Sequence, residues 1–472
     1  MTAAMQNKKW SYVLSDFLTA EVAWILFYVF RKKVLEPAKY GIHIPIEFDT
    51  NFTAGALIIP CVWLLLYGVA GFYRDVFRRS RISELGMSLL VSFIGTLLLF
   101  FALMLDDEVP GYRYYYLSFL GYFILHFFPS YSIRLLITQS THNKIQKGKI
   151  HFPTLIIGTG KAAEDIVRDF RSEKVSTGHL VIGYCTLNNE SSGYLDGVPF
   201  LGYYDNAIHI IDDYSVEEVV LASDTADNKQ IQQVISLLQE KNVRIKAIPE
   251  LKDYLSGSVR MTAVFGTPLI DITRAPMPVW QEGIKRIIDV CISLIFLVIL
   301  SPVLIIVALM VKTYDGGPVL FSQERIGIWG KPFRILKFRS MKVDAEKSGP
   351  ALSSDNDPRI TPIGKTLRKY RLDELPQFWN VLIGDMSLVG PRPERTFFIE
   401  QIVIHAPHYR LLHRVKPGIT SWGMVKYGYA ENVDQMIQRM RFDILYIENM
   451  SLILDFRILI YTVLTIIQGR GK

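Results

Sequence analysis

Two carboxylates stand side by side at Asp373 and Glu374, directly behind the cations Lys365, Arg368, Lys369 and Arg371. Adjacent acids push their pKa values apart, so one can attack as a nucleophile while the other handles protons or metal. Pro376 follows Glu374 by two residues, and proline is well tolerated in the first turn of a helix, which makes Asp373 a candidate helix N-cap. There the helix dipole and the free N–H groups favour an ionised carboxylate. Upstream, residues 331–342 read KPFRILKFRSMK and bring Lys331, Arg334, Lys337, Arg339 and Lys342 together with little opposing charge. Guanidinium forks bind phosphate oxygens in pairs and ammonium groups neutralise them as point charges, so this grouping suits a diphosphate. Downstream come Asn380 and GDMSLVGPRPE, where Gly384, Gly390, Pro391 and Pro393 set a rigid loop around Asp385, Arg392 and Glu394. A hydrated magnesium ion held by one or two such carboxylates plus substrate phosphate oxygens is an economical design for a diphosphate. Two plainer readings stand beside this one: DELP as a capped helix start, and the basic residues as a face against anionic lipid.

The elements that must position these groups belong to a membrane protein. Half of the 472 residues are hydrophobic and the mean hydropathy is +0.22. The net charge of +7 is small for this length and gives a nucleic-acid partner little support. Cys61 and Cys291 lie in apolar runs and Cys185 in an expected strand, a pattern that suggests neither a disulfide framework nor a zinc site. Apolar stretches at 11–30, 52–73, 87–105 and 112–137 have the length a bilayer core requires, and predict a four-helix transmembrane bundle over residues 1–145. Lys8 and Lys9 precede the first stretch and no small-residue cleavage site follows, as expected of a retained anchor. Arg74, Arg78, Arg79 and Arg81 lie between the second and third stretches, and Asp106, Asp107 and Glu108 between the third and fourth. The positive-inside rule then puts both ends of the bundle in the cytoplasm, although Arg31, Lys32 and Lys33 argue the other way.

Residues 146–275 alternate short apolar strands, as at 154–157 and 218–221, with polar helical segments such as 227–240, the pattern of an α/β domain. A third region, 280–472, is basic and mostly helical. It opens with an apolar run at 290–311 that is long enough to span. Lys285, Arg286 and Lys312 flank both ends of that run, and Ser301-Pro302 sits at its centre, where proline removes a backbone donor and bends the helix. A bent helix can enter and leave by one face, and a kinked span is the alternative; these residues by themselves leave both open.

KFRSM, RLDELPQFWNVLIGDMSLVGPRPE and VKPGITSWG together resemble the signature of the bacterial sugar transferases, the polyprenyl-phosphate hexose-1-phosphate transferases. The resemblance covers about residues 280–472. The order of four membrane helices, a Rossmann-like domain and this module is similar to that of the large members. It implies that Asp373 is the nucleophile attacking the sugar-bearing phosphorus of a UDP-sugar, releasing UMP and leaving a phosphosugar on the aspartate. Glu374 completes the dyad, and the carrier phosphate then attacks the intermediate. It also implies magnesium at Asp373, with Asp385 as a further candidate ligand, phosphate contacts from Lys337, Arg339, Arg368 and Arg392, and a re-entrant helix over 285–312 broken at Ser301 and Pro302.

The partners so implied are a UDP-hexose (glucose or galactose), undecaprenyl phosphate and membrane lipid, with a homodimer left open and no nucleic acid. The place implied is the bacterial inner membrane, with the catalytic domain facing the cytoplasm, at the start of exopolysaccharide, capsule or O-antigen assembly. The chain departs from the family where many relatives read TGWAQ and it has Thr420, Ser421, Trp422, Gly423 and Met424, which puts nearby sugar or base recognition in doubt. The last segment, from 443 onward, reads as amphipathic, lying on the leaflet or packing on the core, with a sixth span as the weaker alternative.

In the middle region, Gly158, Gly160 and Ala163 form G-x-G-x-x-A between a strand and a helix, the context of dinucleotide binding. The next strand ends in Thr186, Leu187 and Asn188 with no acid placed for a ribose, and no cofactor is assigned to this domain. Two rival functions remain: a polyprenyl glycosyltransferase that releases UDP, and a non-catalytic nucleotide-sensing membrane protein.

Overall fold

The structure is a computed structural model that describes residues 3–37, 45–103, 111–172, 178–187, 195, 197–222, 228–248, 269–272, 276–345, 349, 357–428 and 430–467. The acidic run at Asp106, Asp107 and Glu108 and the strand end at Asn188 lie outside the described residues. The chain forms two compact units, Met1–Ile150 and His151–Lys472. Residues 146–275 and 280–472, read from the sequence as separate domains, belong to the second unit together from His151 onward.

The first unit is built from α1 (Ala3–Phe30), which continues as a π-helical turn (Arg31–Leu35), α2 (Thr50–Val69), α3 (Arg81–Leu103) and α4 (Tyr112–Gln146). All four are long and apolar enough to cross a membrane, and this is a membrane protein. Asp49 caps α2 by accepting the Phe52 N–H at 2.7 Å. Aliphatic side chains such as Leu57 and Leu136 face outward, while Trp24, Phe27, Trp63, Tyr67 and Tyr122 fill the interior. Arg134 is fully buried among them. Its guanidinium donates to Asp16 at 2.7 and 2.8 Å and to Glu84 at 3.3 Å, and it lies 3.9 Å from the ring centres of Tyr67 and Phe72. A charge inside an apolar bundle is tolerated only when paired in this way.

The second unit opens with a six-stranded α/β sheet. Its elements are β1 (Phe152–Ile157), α5 (Lys161–Ser172), β2 (His179–Thr186), β3 (Phe200–Tyr203), α6 (Ala207–Asp213), β4 (Glu218–Leu221), α7 (Asn228–Leu238), β5 (Arg244–Ala247) and β6 (Ile270–Asp271). The strand order is β3-β2-β1-β4-β5-β6, parallel except for β6. Because side chains alternate along a strand, Leu155, Ile157, Val219 and Leu221 pack on one face against α6 and α7. Ile156 and Val220 pack on the other against Ala163 and Ile166 of α5.

Two apolar helices follow, α8 (Val279–Ile299) and α9 (Ser301–Asp315), bent by 62° about Leu300. Pro302 lies in the first turn of α9, where its missing N–H costs nothing, and the Ser301 hydroxyl donates to the Val298 carbonyl at 2.8 Å. Both helices leave aliphatic side chains exposed, among them Ile295, Val298, Ile305 and Leu309.

The remaining chain forms a hairpin of β7 (Leu320–Ile326) and β8 (Pro332–Phe338), then α10 (Pro362–Lys369), a 3-10 turn (Leu372–Glu374), α11 (Gln377–Ile383), β9 (Ser387–Val389) and α12 (Thr396–His405). A longer 3-10 segment (Pro407–Arg414), β10 (Gly418–Thr420), α13 (Trp422–Lys426), α14 (Val433–Glu448) and α15 (Leu452–Ile467) complete it. Val381, Met386, Ile402, Met440 and Ile458 share its core. Helix α15 packs on that core through Ile458 and turns Ile453, Phe456, Ile460 and Val463 outward.

Candidate active site

Helix α10 ends where Arg371 takes a left-handed backbone (φ 53, ψ 26), a conformation costly for a side chain of this size. The chain is thereby broken, and a new 3-10 turn presents Asp373 and Glu374. Asp373 is therefore not the N-cap expected of it: Pro376 holds that position for α11, and the dyad lies one turn earlier. Gly364 lets α10 approach this closely, since a Cβ there would stand 1.9 Å from the Ser340 carbonyl oxygen. Asn380 of α11 accepts the Leu336 N–H at 3.0 Å and donates to the Arg334 carbonyl at 2.8 Å, which fixes α11 against β8.

Asp373 and Glu374 are both buried, and they line a cavity of about 310 Å³ together with Lys337, Arg339, Arg368 and Arg392. In all, eight basic and three acidic side chains face this space. Glu374 is held by Lys337 at 3.0 Å, Arg371 at 3.3 Å and Arg392 at 3.6 Å. Burial alone would raise its pKa, but these three cations outweigh it and hold the carboxyl well below the usual range. Asp373 carries no ion pair or side-chain hydrogen bond among the described residues. Burial, then the neighbouring Glu374 charge, raise its pKa against the pull of Lys337, Arg368 and Arg371. Burial likewise lowers the Lys337 pKa, with Glu374 opposing. The two acids are thus driven apart into a firmly ionised Glu374 and a more basic Asp373.

The other basic residues have additional ties. Arg339 forms a two-pronged bond to Asp315 at the end of α9, one prong at 2.7 Å, and Arg368 donates to the Ser340 hydroxyl at 3.0 Å. Arg392 also reaches the Met424 sulfur at 3.3 Å, so the departure from TGWAQ touches the site directly. Ser421 caps α13 at the Met424 N–H, and the buried Asp443 accepts the Gly423 N–H at 2.8 Å. Burial pushes the Asp443 carboxyl up to about 6.

Asp385 is not among the cavity residues. It lies beyond the far end of α11 and interacts with Lys416. A helix of seven residues, about 10 Å long, separates it from Asp373, so it cannot share an ion with the dyad. Among the described residues no group of three or more His, Cys, Asp or Glu side chains is arranged to hold a metal.

Sequence reasoning did not single out Arg325, Arg395 and Arg439, which also line the cavity. Glu394 joins two of them, accepting from Arg439 at 2.7 Å and Arg325 at 3.2 Å. Arg325 sits near the end of β7 and Arg439 on the amphipathic α14, and their shared partner Glu394 brings them to one wall.

A buried carboxylate pair in a cation-lined cavity, next to a bent apolar helix pair, defines a membrane enzyme equipped for phosphate-bearing substrates. Known proteins bear this out. A family described as bacterial sugar transferase matches residues 280–469, and one described as CoA-binding domain matches residues 68–249. The chain is 30% identical over 426 residues to the UDP-glucose:undecaprenyl-phosphate glucose-1-phosphate transferase of Klebsiella pneumoniae, covering 88% of this chain and 89% of that one. It is 39% identical over 230 residues to the UDP-N-acetylgalactosamine-undecaprenyl-phosphate N-acetylgalactosaminephosphotransferase of Aeromonas hydrophila (49% of this chain, 54% of that one). To the UDP-glucose:undecaprenyl-phosphate glucose-1-phosphate transferase of Escherichia coli K12 it is 36% identical over 250 residues (52% and 54%). The matched stretch thus spans about half the length of the Aeromonas and E. coli proteins. The chain belongs to the bacterial sugar transferases.

Proposed function

We propose that this enzyme transfers hexose 1-phosphate from a UDP-hexose to undecaprenyl phosphate through a phosphosugar ester on Asp373. The observation that carries the reading is the division within the dyad: Glu374 is committed to three cations, while Asp373 lines the same cavity and makes no ion pair among the described residues. An Asp373 carboxylate oxygen attacks the phosphorus that bears the sugar, and the bond from that phosphorus to the UMP oxygen breaks. UMP leaves with the electron pair. An oxygen of the carrier phosphate then attacks the same phosphorus, the aspartyl ester bond breaks, and Asp373 is restored as a polyprenyl diphosphate sugar forms. Lys337, Arg368 and Arg392 mask the diphosphate charge, and Arg339, already bound to Asp315, lends the wall its field.

Magnesium fits Asp373 better than any other carboxylate here. Its raised pKa and unpaired state are what a cation beside it would relieve, and substrate phosphate oxygens and water would complete the shell. Such an ion supplies charge neutralisation for the departing UMP.

The strand order and the Gly158-Gly160 turn support a Rossmann-like reading of the α/β region, and the 62° bend supports a re-entrant α8–α9 that dips into the cytoplasmic leaflet of the inner membrane. The named relatives act on UDP-glucose and UDP-N-acetylgalactosamine, so those two and UDP-galactose are the donors to offer first.

The test is product identity. UMP release with a phosphosugar adduct on the protein is expected, and Asp373→Asn should lower turnover on the order of 10³-fold or more and abolish the adduct. Release of UDP instead would replace this reading with direct glycosyl transfer. Binding without turnover of any UDP-sugar would leave a sensor.

A further inference from the structure

Just past α7, the sheet region contributes Glu240 to the carboxyl-terminal region. Its carboxylate accepts from Arg410 at 2.9 Å and lies 3.7 Å from the His413 ring nitrogen Nδ1, both on the 3-10 segment Pro407–Arg414. Its carbonyl oxygen faces Gly330, in the turn between β7 and β8, where φ is +66° and a Cβ would stand 3.9 Å away. Glu240 thus grips the 407–414 segment and lies beside the turn of the hairpin, whose strands line the cavity. The hairpin carries Arg325 and Lys337. The 3-10 segment supplies Tyr409, Leu412 and His413, which face residues 391–394 across a small cleft.

From that cleft the connection runs on to the dyad. The Ile326 N–H donates to the Glu394 carbonyl at 3.0 Å and the Gly418 N–H to the Pro391 carbonyl at 2.9 Å, so the proline loop is clamped from both sides. Between those clamps Arg392 projects to 3.6 Å from Glu374. The Tyr409 and His413 rings meet edge to face at 5.7 Å, so a shift of one is felt by the other. Glu240 and Arg410 are each about one-fifth exposed. Such a pair adds little bulk stability but can fix the register of the short segment it grips.

We propose that Glu240 is a positioning residue for the active site, supplied by the α/β region: it seats the 407–414 segment and, through it, the loop that places Arg392. The kinetic part of this proposal rests on the transfer reaction above, while its structural part does not.

The experiment uses the full-length protein in lipid nanodiscs, with Glu240→Arg, Arg410→Glu, the double exchange of the two, and the mild Glu240→Gln. Lys241→Ala serves as a control, because Lys241 pairs with Asp212 within its own region. Two quantities are measured: hydrogen exchange at the Ile326 and Gly418 amides, and kcat and KM for UMP release. Each charge reversal should speed exchange at both amides about tenfold and lower kcat several-fold with KM within twofold. The double exchange should restore both quantities, Glu240→Gln should fall between, and Lys241→Ala should match the parent. Unchanged exchange in Glu240→Gln and the reversals, or a double exchange no better than the single variants, overturns the proposal. Should the parent release no UMP, the transfer reading falls while the exchange result still decides the role of Glu240.

Discussion

Asp373 and Glu374 are neighbours in the chain with opposite electrostatic surroundings. Glu374 lies among Lys337, Arg371 and Arg392, whereas Asp373 meets burial and the Glu374 charge first. A raised pKa means that the attacking form of Asp373 is lost earlier as the solution is acidified. At limiting magnesium, where no bound cation offsets it, the acid limb of kcat/KM should therefore lie above 3.8, the ordinary aspartate value, with the rate falling as pH drops through the raised pKa. Glu374→Gln removes the like charge and should move that limb to lower pH; a limb that stays put would separate it from Asp373. The adjacency of the two acids could be read from the sequence, but not the partition of cations between them. Lys337 arrives from a strand 37 residues earlier and Arg392 from a loop 18 residues later, and both choose Glu374.

At the scale of elements, the α8–α9 pair is the informative feature. A proline at the centre of an apolar run was compatible with a kinked span or a return to the same face, and the structure gives a 62° break with Pro302 opening the second helix. The Lys285 ammonium, at the base of α8, is buried and bonds to Asp455 of α15 at 2.6 Å and to the Val389 carbonyl at 3.0 Å. Asp289, one turn on, accepts from Ser387 and the Leu388 N–H. At the other end, Asp315 holds Arg339 of the cavity. Both ends of the pair are thus tied to the site region. Single cysteines replacing the exposed Trp280 and Tyr314, in a background lacking Cys61, Cys185 and Cys291, should be labelled by an impermeant reagent from one side of sealed vesicles. Labelling from opposite sides would establish a span.

For the molecule as a whole, two units have cores of different kinds. The helical unit buries a charged network within apolar surroundings, and removing Arg134 takes from the buried Asp16 the cation that holds it. Arg134→Met should strip the buried Asp16 of its guanidinium partner, while Glu84 keeps Arg79 at 3.1 Å, and cost about 3–5 kcal/mol, seen as loss of folded protein in detergent by size-exclusion chromatography. A variant in which Asp16, Glu84 and Arg134 are all made apolar should recover much of that loss. The second unit joins a parallel sheet to the site region, with the Arg410–Glu240 pair linking the two.

What the sequence determined by itself was set by local rules: four runs long enough for a bilayer, a strand-helix alternation that requires a mainly parallel sheet, and a dense group of cations around DELP. Those features depend on period, length and composition, which survive without knowing what packs on what. What only the tertiary structure decided depends on distance between residues remote in the chain. Asp385 stood as a further candidate ligand beside Asp373 until α11 carried it to the Lys416 side, and the N-cap assigned to Asp373 failed because the left-handed Arg371 started a separate turn. Arg325, Arg439 and Glu240 carry no motif; the first two had to meet at Glu394, and Glu240 had to reach Arg410, before their charges could act.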